Sequence, residues 1–244
     1  LEAKLAAMKG AEAALVFGSG YLTNLGVIPA LMNKGDVIFA DKLVHACIID
    51  AAQLSGARLM RFAHNDMAHL EKLLKEHRDD STNALIVTDH VFSMDGDVAP
   101  LAKIAALAKT YDAWTMADDA HGLGVVEAAA PMDIWMGTLS KSAGAYGGYV
   151  VGSKQLIDYL ITTARSFVFS TGLPPAICAS ALAALEIMEA EPERGQRAFA
   201  HARQVTDALG LPHAQSAIVP IMLGTPERAL AASDSLKAKG MLAV

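Results

Sequence analysis

The sequence predicts an α/β protein with a mostly parallel sheet covered by helices on both faces. Short apolar runs alternate with helical patterns from residue 13 to residue 164. The runs are nearly continuous in apolar residues, as strands buried on both faces are, and Gly, Asp, Lys and Asn break them. Strands alternating with helices in this way imply parallel pairing, and in such sheets ligands sit at the carboxyl ends of the strands.

Each element follows from its pattern. An opening helix places Leu1, Leu5 and Met8 on one face. Ala13 to Phe17, Val37 to Ala40, Arg58 to Phe62, Ala84 to Thr88, Trp114 to Ala117, Ile134 to Gly137 and Tyr149 to Val151 read as short buried strands. Between them Asn24 to Met32, Val44 to Leu54, Met67 to Lys75, Pro100 to Lys109 and Lys154 to Ala164 read as helices, with Asp66 and Ser153 as N-caps. After Pro174-Pro175 the pattern changes to Ala-rich helices, Ala176 to Glu189 and Arg194 to Leu209, followed by a strand-like Ala217 to Leu223. That shift predicts a large domain over residues 1–190 and part of a smaller C-terminal domain over 191–244.

Composition narrows the function classes. The chain has 244 residues, 53% of them hydrophobic, yet no run approaches the ~18 apolar residues of a membrane span. A net charge of -6 without a basic stripe argues against nucleic acid or an anionic membrane as partner. The two cysteines, Cys47 and Cys178, lack CxxC spacing and read as buried thiols of a reducing compartment, so the expected location is the cytoplasm. The first ten residues form a mixed amphipathic stretch and not a secretory signal. Without an initiator Met, and ending on Gly240 to Val244, the chain reads as a cut through a longer protein.

Several segments carry chemistry. Lys141 lies in Gly137-Thr138-Leu139-Ser140-Lys141-Ser142-Ala143-Gly144, a small-residue loop between two strands. Such a lysine is either a solvated loop residue or, if desolvated, a nucleophilic amine able to carry a carbonyl compound as a Schiff base. Asp118, Asp119 and His121 emerge where a buried strand ends, a position open to three uses. They can pair with a heteroaromatic cation and a phenolic oxygen, ligate a metal, or cap a helix; no HExxH or paired-His spacing completes a metal set. Ser93, in Val91-Phe92-Ser93-Met94-Asp95-Gly96-Asp97, follows another strand and would face the crevice of Asp118, in a turn closed by Asp95-Gly96. Phe17-Gly18-Ser19-Gly20-Tyr21-Leu22-Thr23-Asn24 runs from strand to helix with amides free to cradle a small phosphate. It lacks the third glycine of a dinucleotide loop and the Gly-Lys-Ser/Thr of a P-loop. His45 precedes a helix, either as a cap or as a flat ring able to stack on a planar ligand. Ser170 and Thr171 precede the rigid Pro174-Pro175 turn.

In this order, from Gly10 to Pro175, the segments resemble the α-oxoamine synthases, enzymes of the aspartate-aminotransferase fold (fold type I) that use pyridoxal 5′-phosphate (PLP). The specificity lies in six motifs in sequence, not in any one. The resemblance implies that Lys141 carries the cofactor as a Schiff base and that Asp118 pairs with its pyridine nitrogen. His121 and Ser93 would bond the ring's phenolic oxygen, and His45 would stack on the ring. Ser19, Gly20, Tyr21 and Thr138 would bind the phosphate, with Thr171 and Ser170 contributed by the neighbouring subunit of a homodimer with shared sites. No metal is implied. Asp118-Asp119-Ala120-His121-Gly122-Leu123-Gly124 with Ser93 to Asp97 points to the branch of biotin biosynthesis that joins L-alanine to a pimeloyl thioester of CoA or an acyl carrier protein. Glycine with acetyl-CoA, or serine with a long acyl chain, are the alternatives; a non-catalytic partner subunit of the same fold is a different class. Only 19 residues separate His121 from Lys141, shorter than is usual for the family, so Val125 to Asp133 reads either as a genuine shortening or as a segment with residues missing. The family's substrate-carboxylate arginine is expected beyond residue 244.

Overall fold

A computed structural model describes residues 1–243. Its elements are α1 (Glu2–Lys9), β1 (Ala13–Phe17), α2 (Gly20–Leu31), β2 (Val37–Asp41), α3 (Ala46–Ser55), β3 (Arg58–Phe62), α4 (Met67–His77), β4 (Ala84–Asp89), α5 (Leu101–Thr110), β5 (Trp114–Asp118), β6 (Ile134–Thr138), β7 (Gly148–Gly152), α6 (Lys154–Thr163), α7 (Arg165–Val168), α8 (Pro175–Ala190), α9 (Glu193–Leu209) and α10 (Pro226–Ala238). The strands form one sheet in the order β1-β7-β6-β5-β4-β2-β3. β3, β2, β4, β5 and β6 run parallel, and β7 is antiparallel to both β1 and β6.

Alternation along the strands feeds two cores. Val37, Phe39, Ile86, Ala117, Tyr149 and Val151 join a cluster with Leu70, Leu74, Leu101, Ile104 and Leu185 from α4, α5 and α8. Ile38, Ala40, Leu85, Val87, Met116 and Val150 join the opposite cluster with Val27, Ile28, Ile48, Ile157 and Leu160 from α2, α3 and α6. Burial on both faces is why these strands read as continuous apolar runs. At about 25 cal/mol per Å2 of apolar surface, two filled faces supply the main drive to fold.

Register decides what meets at the carboxyl ends. β4 and β5 pair with Asp89 opposite Asp118, so two carboxylates stand side by side at the sheet's edge. Asp41, Thr138 and Phe62 end β2, β6 and β3 at the same side.

Local sequence explains the helix boundaries near the site. α2 starts at Gly20 and not at Asn24, because Ser19 Oγ accepts the Leu22 N–H at 3.1 Å and nucleates the turn four residues earlier than the apolar pattern does. Asp66 and Ser153 cap α4 and α6 in the same way. Gly148 lets β7 pass beneath this turn: a Cβ there would lie 2.4 Å from Ser19 C and from Thr23 Oγ1.

The expected strand over Ala217 to Leu223 is not formed; these residues are irregular. Pro220 removes a ladder donor, and segment 215–218 instead bonds the loop at Gly96. A helix that the patterning did not anticipate, α10, follows, capped by Thr225. Cys47 is buried as expected, whereas Cys178, on α8, is only partly so.

Candidate active site

The carboxyl ends of β4, β5 and β6 and the N-terminus of α2 enclose a cavity of about 200 Å3. Ser19, Gly20, Tyr21, His45, Ser93, Asp118, His121, Thr138 and Lys141 all line it. Segments far apart in sequence thus converge because each follows a strand or opens a helix at one edge of one sheet.

Asp118 is held deep in the cavity. Its Oδ1 accepts the Ala120 N–H at 3.0 Å and its Oδ2 accepts Asn24 Nδ2 at 3.1 Å. Burial holds its pKa above the ordinary carboxylate value, with those two bonds opposing the shift. Asp89 is pushed further up, by its own burial and then by the charge of Asp118, while the His45 N–H, 3.2 Å from its Oδ1, acts the other way. Among the described residues no cationic side chain makes an ion pair with either carboxylate.

Lys141 is exposed as a residue, yet its Nζ donates to His121 Nε2 at 2.7 Å. Desolvation lowers the Lys141 pKa, against the pull of Asp118 and Asp89. His121 is depressed to about 4, by burial first and then by the charge of Lys141 and His45. At neutral pH this imidazole is thus uncharged beside the amine, and it is the amine's own desolvation that favours loss of its proton.

His45 is the N-cap of α3, and its Nδ1 accepts the Cys47 N–H at 3.3 Å and lies 2.9 Å from Cys47 Sγ. Those contacts fix the ring in the cavity wall. Burial pushes the Cys47 thiol up to about 12, so it is neutral at pH 7. Ser19 Oγ is engaged in capping α2, and Thr138 Oγ1 donates to Gly147 O at 3.0 Å while lying 2.8 Å from Ser140 Oγ. The amides of Gly20 and Tyr21, in the first turn of α2, have no helical acceptor and carry the helix's positive end.

Three lining or supporting residues escaped the sequence reading: Asp89, Asn24 and Cys47. Asp89 was legible in one respect, since it directly follows the apolar run ending at Thr88. Asn24 and Cys47 sit inside helical patterns, where nothing marks a polar side chain as facing a site. Asp119 turns away from Asp118: its Oδ1 lies 2.6 Å from His90 Nδ1 and its Oδ2 pairs with Lys9. Asp118, Asp119 and His121 therefore do not converge, and no group of three or more His, Cys, Asp or Glu able to hold a metal occurs among the described residues. Ser170 and Thr171 are exposed and line a separate hollow with Val16, Phe17 and Gly18.

Known proteins share this fold and much of this sequence. The family model described as aminotransferase class I and II matches residues 1–244. An 8-amino-7-oxononanoate synthase of Methylobacterium nodulans is 58% identical over 246 residues, covering 100% of this chain and 64% of that protein. One from Methylorubrum extorquens is 57% identical over 244 residues, again covering 100% of this chain and 64% of its relative. The chain thus spans less than two thirds of the length of these relatives.

Among solved structures, Sphingomonas wittichii serine palmitoyltransferase has a TM-score of 0.93 at 32% identity, covering 99% of this chain and 65% of that one. A serine palmitoyltransferase variant from S. paucimobilis with a bound PLP–myriocin aldimine has a TM-score of 0.94 at 31% identity, covering 100% and 67%. An 8-amino-7-oxononanoate synthase from Francisella tularensis has a TM-score of 0.79 at 28% identity, covering 99% and 75%. The chain belongs to the aminotransferase class I and II family and, within it, to the α-oxoamine synthase branch whose motifs its sequence carries.

Proposed function

We propose that this chain is the cofactor-binding core of a PLP-dependent acyltransferase that joins L-alanine to a pimeloyl thioester with loss of CO2, the reaction of biotin biosynthesis. One observation carries the cofactor assignment: a buried carboxylate without a cationic partner, Asp118, shares a small cavity with a lysine whose amine rests on a neutral histidine, at the mouth of a helix N-terminus. Those donors and acceptors fit PLP. A protonated pyridine nitrogen matches Asp118, a phosphate matches the free amides of Gly20 and Tyr21 with the Thr138 hydroxyl, and a carbonyl matches the Lys141 amine. The relatives of 57–58% identity, named as 8-amino-7-oxononanoate synthases, support the placement in biotin biosynthesis.

When bound, PLP supplies an electron sink for the pair of electrons left at an amino acid's α-carbon. The rest falls to the protein. Lys141 Nζ would hold the cofactor's carbonyl carbon and, once displaced by substrate, move the α-proton, with desolvation favouring the neutral amine and His121 Nε2 keeping it oriented. Asp118 would keep the pyridine nitrogen protonated. His45 would cover the ring face and shield it from water, while Ser93 and His121 would orient the phenolic oxygen.

Ser170 and Thr171 lie outside their own chain's cavity, beside Phe169, which is 73% exposed. They would complete the phosphate site of a second copy in a homodimer. A cytoplasmic location belongs to the same proposal, and no helix among the described residues is long and apolar enough to cross a membrane. So does a domain boundary near residue 190, which limited proteolysis would reveal as a protected fragment.

The test pairs alanine, glycine and serine with pimeloyl, acetyl and palmitoyl thioesters in the full-length protein and follows free thiol. Release with alanine and the pimeloyl thioester well above every other pair is expected. Preference for glycine with acetyl-CoA, or for serine with the long chain, would replace the substrate assignment; no release with any pair would favour a non-catalytic partner subunit.

A further inference from the structure

We propose that His64, charged and bridging Asp41 and Asp97, is a positioning residue that locks the loop carrying His45 to the loop carrying Ser93. The proposal rests on the reading of the cavity as a PLP site. His64 Nδ1 lies 3.0 Å from Asp41 Oδ1 and His64 Nε2 lies 2.8 Å from Asp97 Oδ2. A carboxylate only accepts, and a neutral imidazole has a single N–H, so both contacts are donated only by the doubly protonated ring.

The bridge joins two loops of the site. Asp41 ends β2 and is fully buried; its Oδ1 also accepts the Leu43 N–H at 2.8 Å, the first turn of the segment that leads to His45. Asp97 follows the turn that contains Ser93, and its carbonyl accepts the Phe92 N–H at 3.0 Å. Asn65, at φ 53, follows the histidine and reinforces both arms: its N–H donates to Asp41 Oδ2 at 2.8 Å and its side-chain amide to Asp97 Oδ2 at 2.8 Å. The ring is fixed edge-on against Phe92, centroids 4.4 Å apart, in the Ser93 loop.

The far side of that loop is backed by neutral groups. Ser216 Oγ donates to Gly96 O at 2.7 Å, and Gln215 Oε1 accepts the Val98 N–H at 3.1 Å. Gly96 is at φ +68, and a Cβ there would lie 2.6 Å from Ile218 O. His64 therefore supplies the charge that ties the turn to β2.

Asp41 and Asp97 are the charged groups recorded against the ring. Burial lowers the His64 pKa, and the bonds to the two carboxylates outweigh it, leaving the group above its ordinary value. A raised pKa means that the bridge is intact below the ordinary histidine range and is lost as pH rises through the folded-state value.

Two measurements on the full-length protein test this. Nitrogen NMR of the imidazole at neutral pH, without cofactor, should show both ring nitrogens of His64 protonated. PLP affinity is then compared for wild type and His64→Gln from about pH 6 to about pH 9, a range that brackets a raised histidine. The variant should bind about tenfold more weakly at the low end, for the loss of charge-assisted bonds, and the ratio should approach one at the high end. Asp97→Asn, which keeps the His64–Asp41 pair, should lose less affinity and serves if His64→Gln does not fold.

A neutral His64 at pH 7, or a wild-type to variant ratio that is constant across pH, overturns the clamp. If wild type binds no PLP at any pH, the cofactor reading fails instead, and the NMR result alone decides whether His64 is the charged bridge.

Discussion

Replacing Asp118 with Asn should stabilise the cofactor-free protein while crippling cofactor binding, a pair of effects with opposite sign. In the free site the carboxylate is buried and receives two hydrogen bonds but no cation. The amide oxygen of Asn can still accept the Ala120 N–H, whereas its NH2 would face the Asn24 NH2, so one bond worth about 1 kcal/mol is lost. Removing the buried charge offsets this by about 2–3 kcal/mol. The net gain of ~1–2 kcal/mol corresponds to a melting temperature higher by about 4 °C for a chain of this size. Binding moves the other way. Losing a charge-assisted bond to a protonated ring nitrogen costs about 2–3 kcal/mol, or about 30- to 150-fold in PLP affinity.

The pH dependence has a definite sign. Because Asp118 and Asp89 are raised in the folded chain, the native state holds more protons than the unfolded one between the ordinary carboxylate pKa of about 3.9 and the raised values. Stability of the cofactor-free protein is thus greatest at the acid end of that window and falls as pH rises through it. In Asp118→Asn the fall should be smaller, since one of the two carboxylates is gone and the other is relieved of its neighbour. Thermal melts with and without PLP, with a PLP titration, read all of this. An Asp118→Asn protein that melts lower than wild type and binds PLP equally well would refute the reasoning.

Other outcomes follow from the same geometry. His121 should titrate near 4 in the folded, cofactor-free protein by NMR, and because its pKa is depressed, it should cost stability as pH falls from about 6.5 toward that value; a normal titration would remove its role as neutral acceptor for Lys141. Gly148→Ala should destabilise by about 2–4 kcal/mol in denaturant melts and weaken PLP binding, because the new Cβ would meet backbone at Ser19 C and cannot be relieved by a side-chain rotation.

Much of this was legible in the sequence because β2, β4, β5 and β6 are buried on both faces and so carry the continuous apolar pattern of parallel strands. The polar residues at their ends then fell on one edge, which brought His45, Ser93, Asp118 and Lys141 together. Periodicity failed where a single side chain outweighs it. Ser19 begins α2 before the apolar pattern does. Ala217 to Leu223 has a strand's composition but pairs with no strand among the described residues, and Pro220 interrupts it. Asp89 became visible as a site residue only through its register with Asp118, and the divergence of Asp119 from Asp118 reflects strand alternation together with Lys9 and His90, which no local motif announces.

The central claim, that Lys141 holds PLP, is tested most directly by incubating the full-length protein with PLP, reducing with borohydride and mapping the modified peptide by mass spectrometry. The account predicts a single phosphopyridoxyl adduct on Lys141, with none at that site in Lys141→Ala. Stoichiometric labelling of another lysine, with Lys141 unmodified in the wild-type protein, would contradict it.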